Sequence, residues 1–142
     1  MTIEIREAQA GDAPRLKQLI NDLGHPIEEA DIVRNLETLT TTDLLPLVAV
    51  EGGGIIGLCG LAATVTVHRD APVGRVSIMV VDEAHRSRGI GALLVAEAEK
   101  RLAERGCVIL EVTSNIKRDR AHNFYEKLGY ERTSYRFMKR LD

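Results

Sequence analysis

The chain has 142 residues, 44% hydrophobic and 28% charged, the proportions of an ordinary globular protein, and residues 1–142 read as one domain. A formal net charge of −2 gives no electrostatic case for nucleic acid or an anionic membrane as a partner. The two cysteines, Cys59 and Cys107, sit in apolar runs without CxxC spacing, charges occupy the N-terminus where a signal peptide would need an apolar core, and no apolar run nears the roughly 20 residues of a membrane span, so a cytoplasmic protein with reduced core thiols is expected.

Ile3 and Ile5 alternate with polar residues as in a short strand. Leu16, Leu19, Ile20 and Leu23 follow the spacing of an amphipathic helix that Asp12 and Pro14 open. Gly24, His25 and Pro26 break it, and a second helix is predicted over 28–40. A strand over 47–50, a glycine turn at 52–54, a long strand over 55–67 and another over 73–81 predict an antiparallel meander. Leu94, Val95, Ala98 and Leu102 then form the apolar stripe of a strong helix beginning near Gly89 and stopped by Gly106. A strand over 107–113 follows, with Val108, Leu110 and Val112 pointing one way. Strand, helix and strand make a crossover, so the strands over 73–81 and 107–113 should be parallel neighbours. A short helix carrying Ala121, Phe124, Tyr125 and Leu128 comes next, then a closing strand over 130–140. The expected fold class is α/β (equally α+β), a mixed central sheet with helices on both faces.

The informative stretch is 80–94. A buried strand runs into a basic, glycine-punctuated loop, and the loop runs directly into a helix. A helix N-terminus presents unpaired N–H groups and about half a positive charge, and glycines let the backbone approach an anion closely. Arg86 and Arg88 add charge. The physics asks for a phosphate or diphosphate here. No GxxxxGK[ST] loop is present, and Leu94 stands where a dinucleotide fingerprint needs a small residue. The string Asp82-Glu83-Ala84-His85 spells a helicase box, but neither the Walker lysine nor the chain length of a helicase accompanies it.

Arg86-x-x-Gly89-x-Gly91 resembles the diphosphate loop of the GCN5-related N-acetyltransferase superfamily. The Val-Val-Asp lead-in at 80–82, the segment from His122 to Tyr130 and the order of elements along the chain are similar to the same superfamily. Within it, the stretch 113–118, Ala121-His122 and the closing 135–139 resemble aminoalkylphosphonate N-acetyltransferases and many uncharacterised bacterial acetyltransferases. The resemblance implies an acyl-CoA N-acyltransferase fold and acetyl-CoA as cosubstrate. It implies a small-molecule primary amine as acceptor, no nucleic-acid or membrane partner, and a homodimer.

Carried over residue by residue, the resemblance places the diphosphate on Arg86, Ser87, Arg88, Gly89, Ile90, Gly91 and Ala92. It pairs the pantetheine arm with Val80 and Val81, on a strand that in relatives bulges away from the next. It gives Asn115 a hydrogen bond to the same arm. Tyr125 becomes the acid that protonates the leaving thiolate after direct attack of a neutral amine on the thioester. Tyr125 also lies on the apolar stripe of its helix, where core packing is the alternative; for Asn115 the alternative is an ordinary turn.

The strand over 73–81 departs from relatives that carry a glutamate there as base, for it has no carboxylate. Glu111 and His122 are the candidates that remain, beside a water-mediated route or an amine that arrives neutral. The histidines lack metal-ligand spacing, and no metal site is expected. The acceptor should meet residues 21–29 and the loop near His68. Asp22, Glu28 and Glu29 there suggest a cationic amine, or simply the acidic start of a helix. The reading from a different class is a non-catalytic acyl-CoA-binding or sensor module.

Overall fold

The structure, a computed structural model, describes residues 2–142. They form two compact units, one running to Glu111 and the other from Val112 to Asp142.

The first unit is built on a sheet. Strands β1 (Glu4–Glu7), β2 (Leu47–Glu51), β3 (Gly54–Thr64), β4 (Val73–Val81) and β5 (Ile109–Val112) lie side by side in that order. The first three pairings are antiparallel, and the sheet is mixed, so β4 and β5 are the parallel pair. The crossover between them is α3 (Ile90–Glu104), as the hydrophobic periodicity predicts.

Directly opposed residues share a face, so the register assigns the two sides of the sheet. Val48, Leu58 and Val80 form one row across β2, β3 and β4. They join Leu16 and Leu19 of α1 (Ala13–Asp22) and Ile32 and Leu36 of α2 (Glu29–Thr40) in one buried cluster. The adjacent row, Ala49 and Gly57, faces α3. A Cβ on Gly57 would lie 3.0 Å from Leu94 Cδ1 and 3.4 Å from Ile90 Cγ2. The missing side chain is therefore what lets α3 sit close to β3. Leu94, Val95, Ala98 and Leu102 of α3 are fully buried, and Cys59, on the same side, is a buried thiol that desolvation pushes up to about 12.

Two irregularities interrupt the meander. The β3–β4 register passes from Gly60↔Ile78 to Leu61↔Val76, which leaves Ser77 of β4 as an extra residue. This is the bulge that the resemblance implied. The β2–β3 register passes from Ala49↔Gly57 to Val50↔Ile55, leaving Ile56 as the extra residue of β3.

The second unit holds α4 (Asp119–Lys127). Tyr125 is buried, its ring edge-on to Phe124 at 5.0 Å and to Tyr130 at 5.7 Å. The Tyr130 amide donates to the Tyr125 carbonyl at 3.0 Å.

Several boundaries and one element differ from the sequence reading. β3 stops at Thr64, short of residue 67, and β5 starts at Ile109, later than 107, with Val108 exposed. Helix α2 begins one residue late. The predicted closing strand over 130–140 is not a strand at all: no residue of it pairs in the sheet, which ends at β5. Alternation specifies which faces a strand would have but not which neighbour it pairs with.

Candidate functional site

The β4–α3 connection occupies 82–89. A short 3-10 turn at Glu83–His85 is followed by two left-handed residues, Ser87 (φ 65°) and Gly89 (φ 77°). Gly89 is the N-cap of α3, and a Cβ placed on it would meet open space. The first intrahelical bond here runs from the Leu93 amide to the Gly89 carbonyl at 3.1 Å. The preceding amides, at Ile90, Gly91 and Ala92, thus fall in the turn that α-helical geometry leaves without intrahelical acceptors, and no side chain caps the helix. These groups fit an anion: aligned donors, the positive end of a 15-residue helix, and no Cβ in front of it.

Beside this loop the end of β4 outlasts its neighbour. β5 has only 4 residues and lies against the beginning of β4. Arg75 reaches Glu111 at 3.2 Å, and a Cβ on Gly74 would stand 2.8 Å from Leu110 Cδ1. Residues 78–81, including Val80 and Val81, extend past the point where β5 ends. Their β3-side edge is used, Val80 opposite Leu58 and Val81 opposite Gly57. The other edge suits an extended amide chain.

The two loop arginines differ. Arg86 is exposed, and its Nε donates to the Val81 carbonyl at 3.3 Å. Arg88 turns to Glu51 at the end of β2 and pairs with it bidentately, Nη1 to Oε1 at 3.0 Å and Nη2 to Oε2. The Glu51 side chain is only 10% exposed, and the Arg88 guanidinium holds its carboxyl below the usual range. His85 donates Nδ1–H to Asp82 Oδ2 at 2.7 Å, and its Nε2 stands 4.0 Å from Glu51 Oε1. Asp82 also accepts from Arg15 of α1 at 3.1 Å, while Arg15 Nε donates to the Ile55 carbonyl at 2.9 Å. The His85 hydrogen bond first, then that of Arg15, keeps the Asp82 carboxyl low. Arg15, Glu51, Asp82 and His85 therefore tie the loop to α1, β2 and β3. Sequence reasoning missed this brace. Glu51 and Arg88 are 37 positions apart, and no local spacing announces the pair.

Asn115 and Tyr125 belong to the second unit. Asn115 Oδ1 accepts from the Lys117 amide at 2.9 Å, an Asx turn, so the turn alternative describes its oxygen. Its Nδ2 donors are not used in that turn. The Asn115 carbonyl lies 2.9 Å from His122 Nε2. A carbonyl only accepts, so Nε2 carries a proton, and in the neutral imidazole the lone pair is then on Nδ1. Nδ1 is buried with no hydrogen-bond partner, since Asp119 Oδ1 stands 4.0 Å off. His122 and Tyr125 are i, i+3 neighbours on one face of α4. Glu111, the other candidate base, is more than half exposed and paired with Arg75.

At the acceptor segment a shallow depression is lined by Asn21, Gly24, Pro26, Ile27 and Glu28. Glu28 pairs with Lys17 at 3.1 Å, and Asp31 accepts from the Glu28 amide at the start of α2. A second concavity is lined by His68, Asp70, Pro72, Val73, Val108 and Ile109. No helix is long and apolar enough to cross a membrane, and no cluster of metal-ligating side chains occurs, both among the described residues.

A mixed sheet whose fourth strand feeds an uncapped, glycine-opened helix defines an α/β protein. The chain belongs to the acetyltransferase (GNAT) family, whose model matches residues 12–130. It is 33% identical over 93 residues to the aminoalkylphosphonate N-acetyltransferase of Salmonella typhimurium, a match covering 66% of this chain and 60% of that protein. Among solved structures it is similar to a Bacillus halodurans C-125 protein described as a transcriptional regulator, with TM-score 0.89, 25% identity and coverage of 99% of this chain and 100% of the other. A GNAT family acetyltransferase from Staphylococcus aureus superposes with TM-score 0.80 at 26% identity, covering 99% and 100% of the two chains. The GNAT fold expected from the loop motif is the fold found.

Proposed function

We propose that this chain acts, as one domain, as an acetyltransferase that moves the acetyl group of acetyl-CoA to the primary amine of a small molecule. The observation that carries this reading is the uncapped α3 N-terminus beside the unpaired end of β4. The amides from Gly89 to Ala92 bind the diphosphate, with Arg86 and Ser87 at its side. Residues Val80 and Val81 offer strand-edge groups to the pantetheine amides, and Asn115 Nδ2 is a further donor to them. Arg88 is committed to Glu51 and serves chiefly to hold the loop. Acetyl-CoA, when bound, supplies the thioester carbonyl that an amine attacks.

Tyr125 donates its phenolic proton to the departing sulfur. The base is His122. With Nε2–H held on the Asn115 carbonyl, Nδ1 of the neutral ring is the nitrogen left to accept a proton. The aminoalkylphosphonate N-acetyltransferase relative supports a small amine as acceptor. The resemblance also carries a homodimer and a cytoplasmic location.

The test is acetyl-CoA-dependent thiol release across a panel of small amines, aminoalkylphosphonates and aminoglycosides included. Turnover with at least one primary amine, absent with its N-acetylated form, is expected. Tight CoA binding with no turnover on any amine would instead support an acyl-CoA sensor. That second reading is favoured by the absence of a β4 carboxylate and by the regulator description of the Bacillus halodurans protein.

A further inference from the structure

The 9 residues of β4 hold only two polar side chains, Arg75 and Ser77. Arg75 is engaged with Glu111 of β5 at 3.2 Å. Ser77 is exposed, and its hydroxyl has no hydrogen-bond partner among the described residues. It is also the extra residue of the β3–β4 bulge, where Gly60 opposes Ile78 and the next pair is Leu61 with Val76. A regular strand sends neighbouring side chains to opposite faces. The bulge instead brings Ser77 and Ile78 over the same residue: a Cβ on Gly60 would stand 2.5 Å from Ser77 Oγ and 2.9 Å from Ile78 Cγ2. Glycine at 60 is what makes room for both.

That face is the one on which α1 and α2 pack. Gly60 and Ile78 stand two positions along from Leu58 and Val80, which belong to the buried cluster of that side. Ile78 packs against the same cluster, and so do Leu23 and Ile27 of the segment that joins α1 to α2. The bulge therefore presents an uncommitted hydroxyl on the side from which the acceptor is expected. Its place along the strand fits as well. The Arg86 bond to the Val81 carbonyl brings the diphosphate loop to the last residue of β4. A pantetheine arm has about twelve main-chain bonds between its phosphate oxygen and its sulfur, the length of about four residues, or roughly 13 Å. Laid back along β4 from Val81, such an arm ends level with Ser77.

We propose that the Ser77 hydroxyl binds the acceptor and selects primary amines. Its oxygen accepts one N–H of the neutral amine. The nitrogen lone pair then faces the thioester carbonyl, and the second N–H stays available to the base. A hydroxyl is uncharged at neutral pH, so it orients the nitrogen without competing for its proton. A secondary amine has a single N–H and cannot serve Ser77 and the base together. This inference deepens the acetyl-transfer reading and rests on it.

The test is steady-state thiol release with the fastest primary amine of the panel and with its N-methyl form, on the full chain and on Ser77→Ala, Ser77→Val and Ser77→Thr. In the alanine and valine variants kcat/KM for the primary amine should fall about 3- to 10-fold, the loss of one hydrogen bond. Ser77→Thr has the shape of the valine variant but keeps the hydroxyl, and should recover most of the loss. The preference for the primary over the N-methyl amine should shrink by the same factor in Ser77→Ala. The acetyl-CoA dissociation constant, read by calorimetry, should hold in all three. Equal losses in the threonine and valine variants would overturn the proposal, since they would trace the effect to the shape of the bulge. So would an unchanged amine preference, or weakened acetyl-CoA binding, which would put Ser77 on the cosubstrate. An active wild type beside an equally active Ser77→Ala would overturn this assignment alone. A wild type that turns over no amine of the panel would overturn the acetyl-transfer reading and this assignment with it.

Discussion

The β4–α3 loop and helix α4 both carry residues that the family motif singles out, and they are held in opposite ways. The loop is fixed from a distance. Arg88 reaches back 37 positions to Glu51, and Asp82 reaches 67 positions to Arg15. Helix α4 is fixed by its own neighbourhood: His122 on the Asn115 carbonyl, the Tyr130 amide on the Tyr125 carbonyl, Arg132 on Glu126 at 2.7 Å. A binding loop that must present bare amides has few local groups to spare for its own support, so support comes from the strands around it. A helix that presents side chains keeps its backbone satisfied and can be steadied locally.

Four perturbations would break or sharpen this contrast. The largest effect is expected at α4. Tyr125→Phe keeps the ring packing and removes the proton, so turnover should fall about 100-fold or more while acetyl-CoA affinity holds, as thiol release and titration calorimetry would record. Unchanged turnover would return Tyr125 to core packing. His122→Gln should cut turnover by a similar or smaller factor and flatten the alkaline-rising limb of the pH–rate profile, which a packing residue would leave in place.

The loop should respond in binding instead of turnover. Gly89→Val forces a β-branched residue toward φ 77°, a strain of about 1–3 kcal/mol, so the acetyl-CoA dissociation constant should rise roughly 5- to 150-fold. Titration calorimetry reads it directly, and turnover at saturating acetyl-CoA should change far less. Glu51→Gln removes the distant brace without touching the amides. Because the Arg88 end of the pair is 43% exposed, the substitution should raise KM for acetyl-CoA only about two- to fivefold at unchanged kcat. A fall in kcat alone would mean that Glu51 acts on the chemistry and not on the loop.

How much of this was legible in the sequence divides along the same line. The βαβ crossover, the glycine start of α3 and the two-sided core follow from periodicities of 2 and 3.6 and from caps within a few residues, so they could be read directly. The Asx turn at Asn115 is equally local. The Glu51–Arg88 pair depends on the register of β2 against β3 and on where the loop lands, neither of which is written near either residue. The alternation over 130–140 predicts a strand that does not form, because alternation says nothing of a partner, which is a tertiary fact.

The smallest expected effect concerns pH. Glu51 and Asp82 have carboxyls depressed by Arg88 and by His85 and Arg15. A depressed folded-state pKa stabilises the fold above the unfolded value of about 4 and loses that contribution as pH falls through the lower, folded one. Thermal unfolding of the wild type should therefore weaken below the ordinary carboxylate range more than that of Glu51→Gln, with the two curves parallel from there up to neutrality. Equal acid sensitivity would deny the brace any role in stability.

The central claim, that bare amides at the start of α3 take the diphosphate, is met most directly by a nuclear magnetic resonance titration of the full chain with CoA. The account predicts that the largest amide shifts fall on Gly89, Ile90, Gly91 and Ala92, saturating together with binding measured by calorimetry. Saturable CoA binding that leaves those four amides unmoved would contradict it.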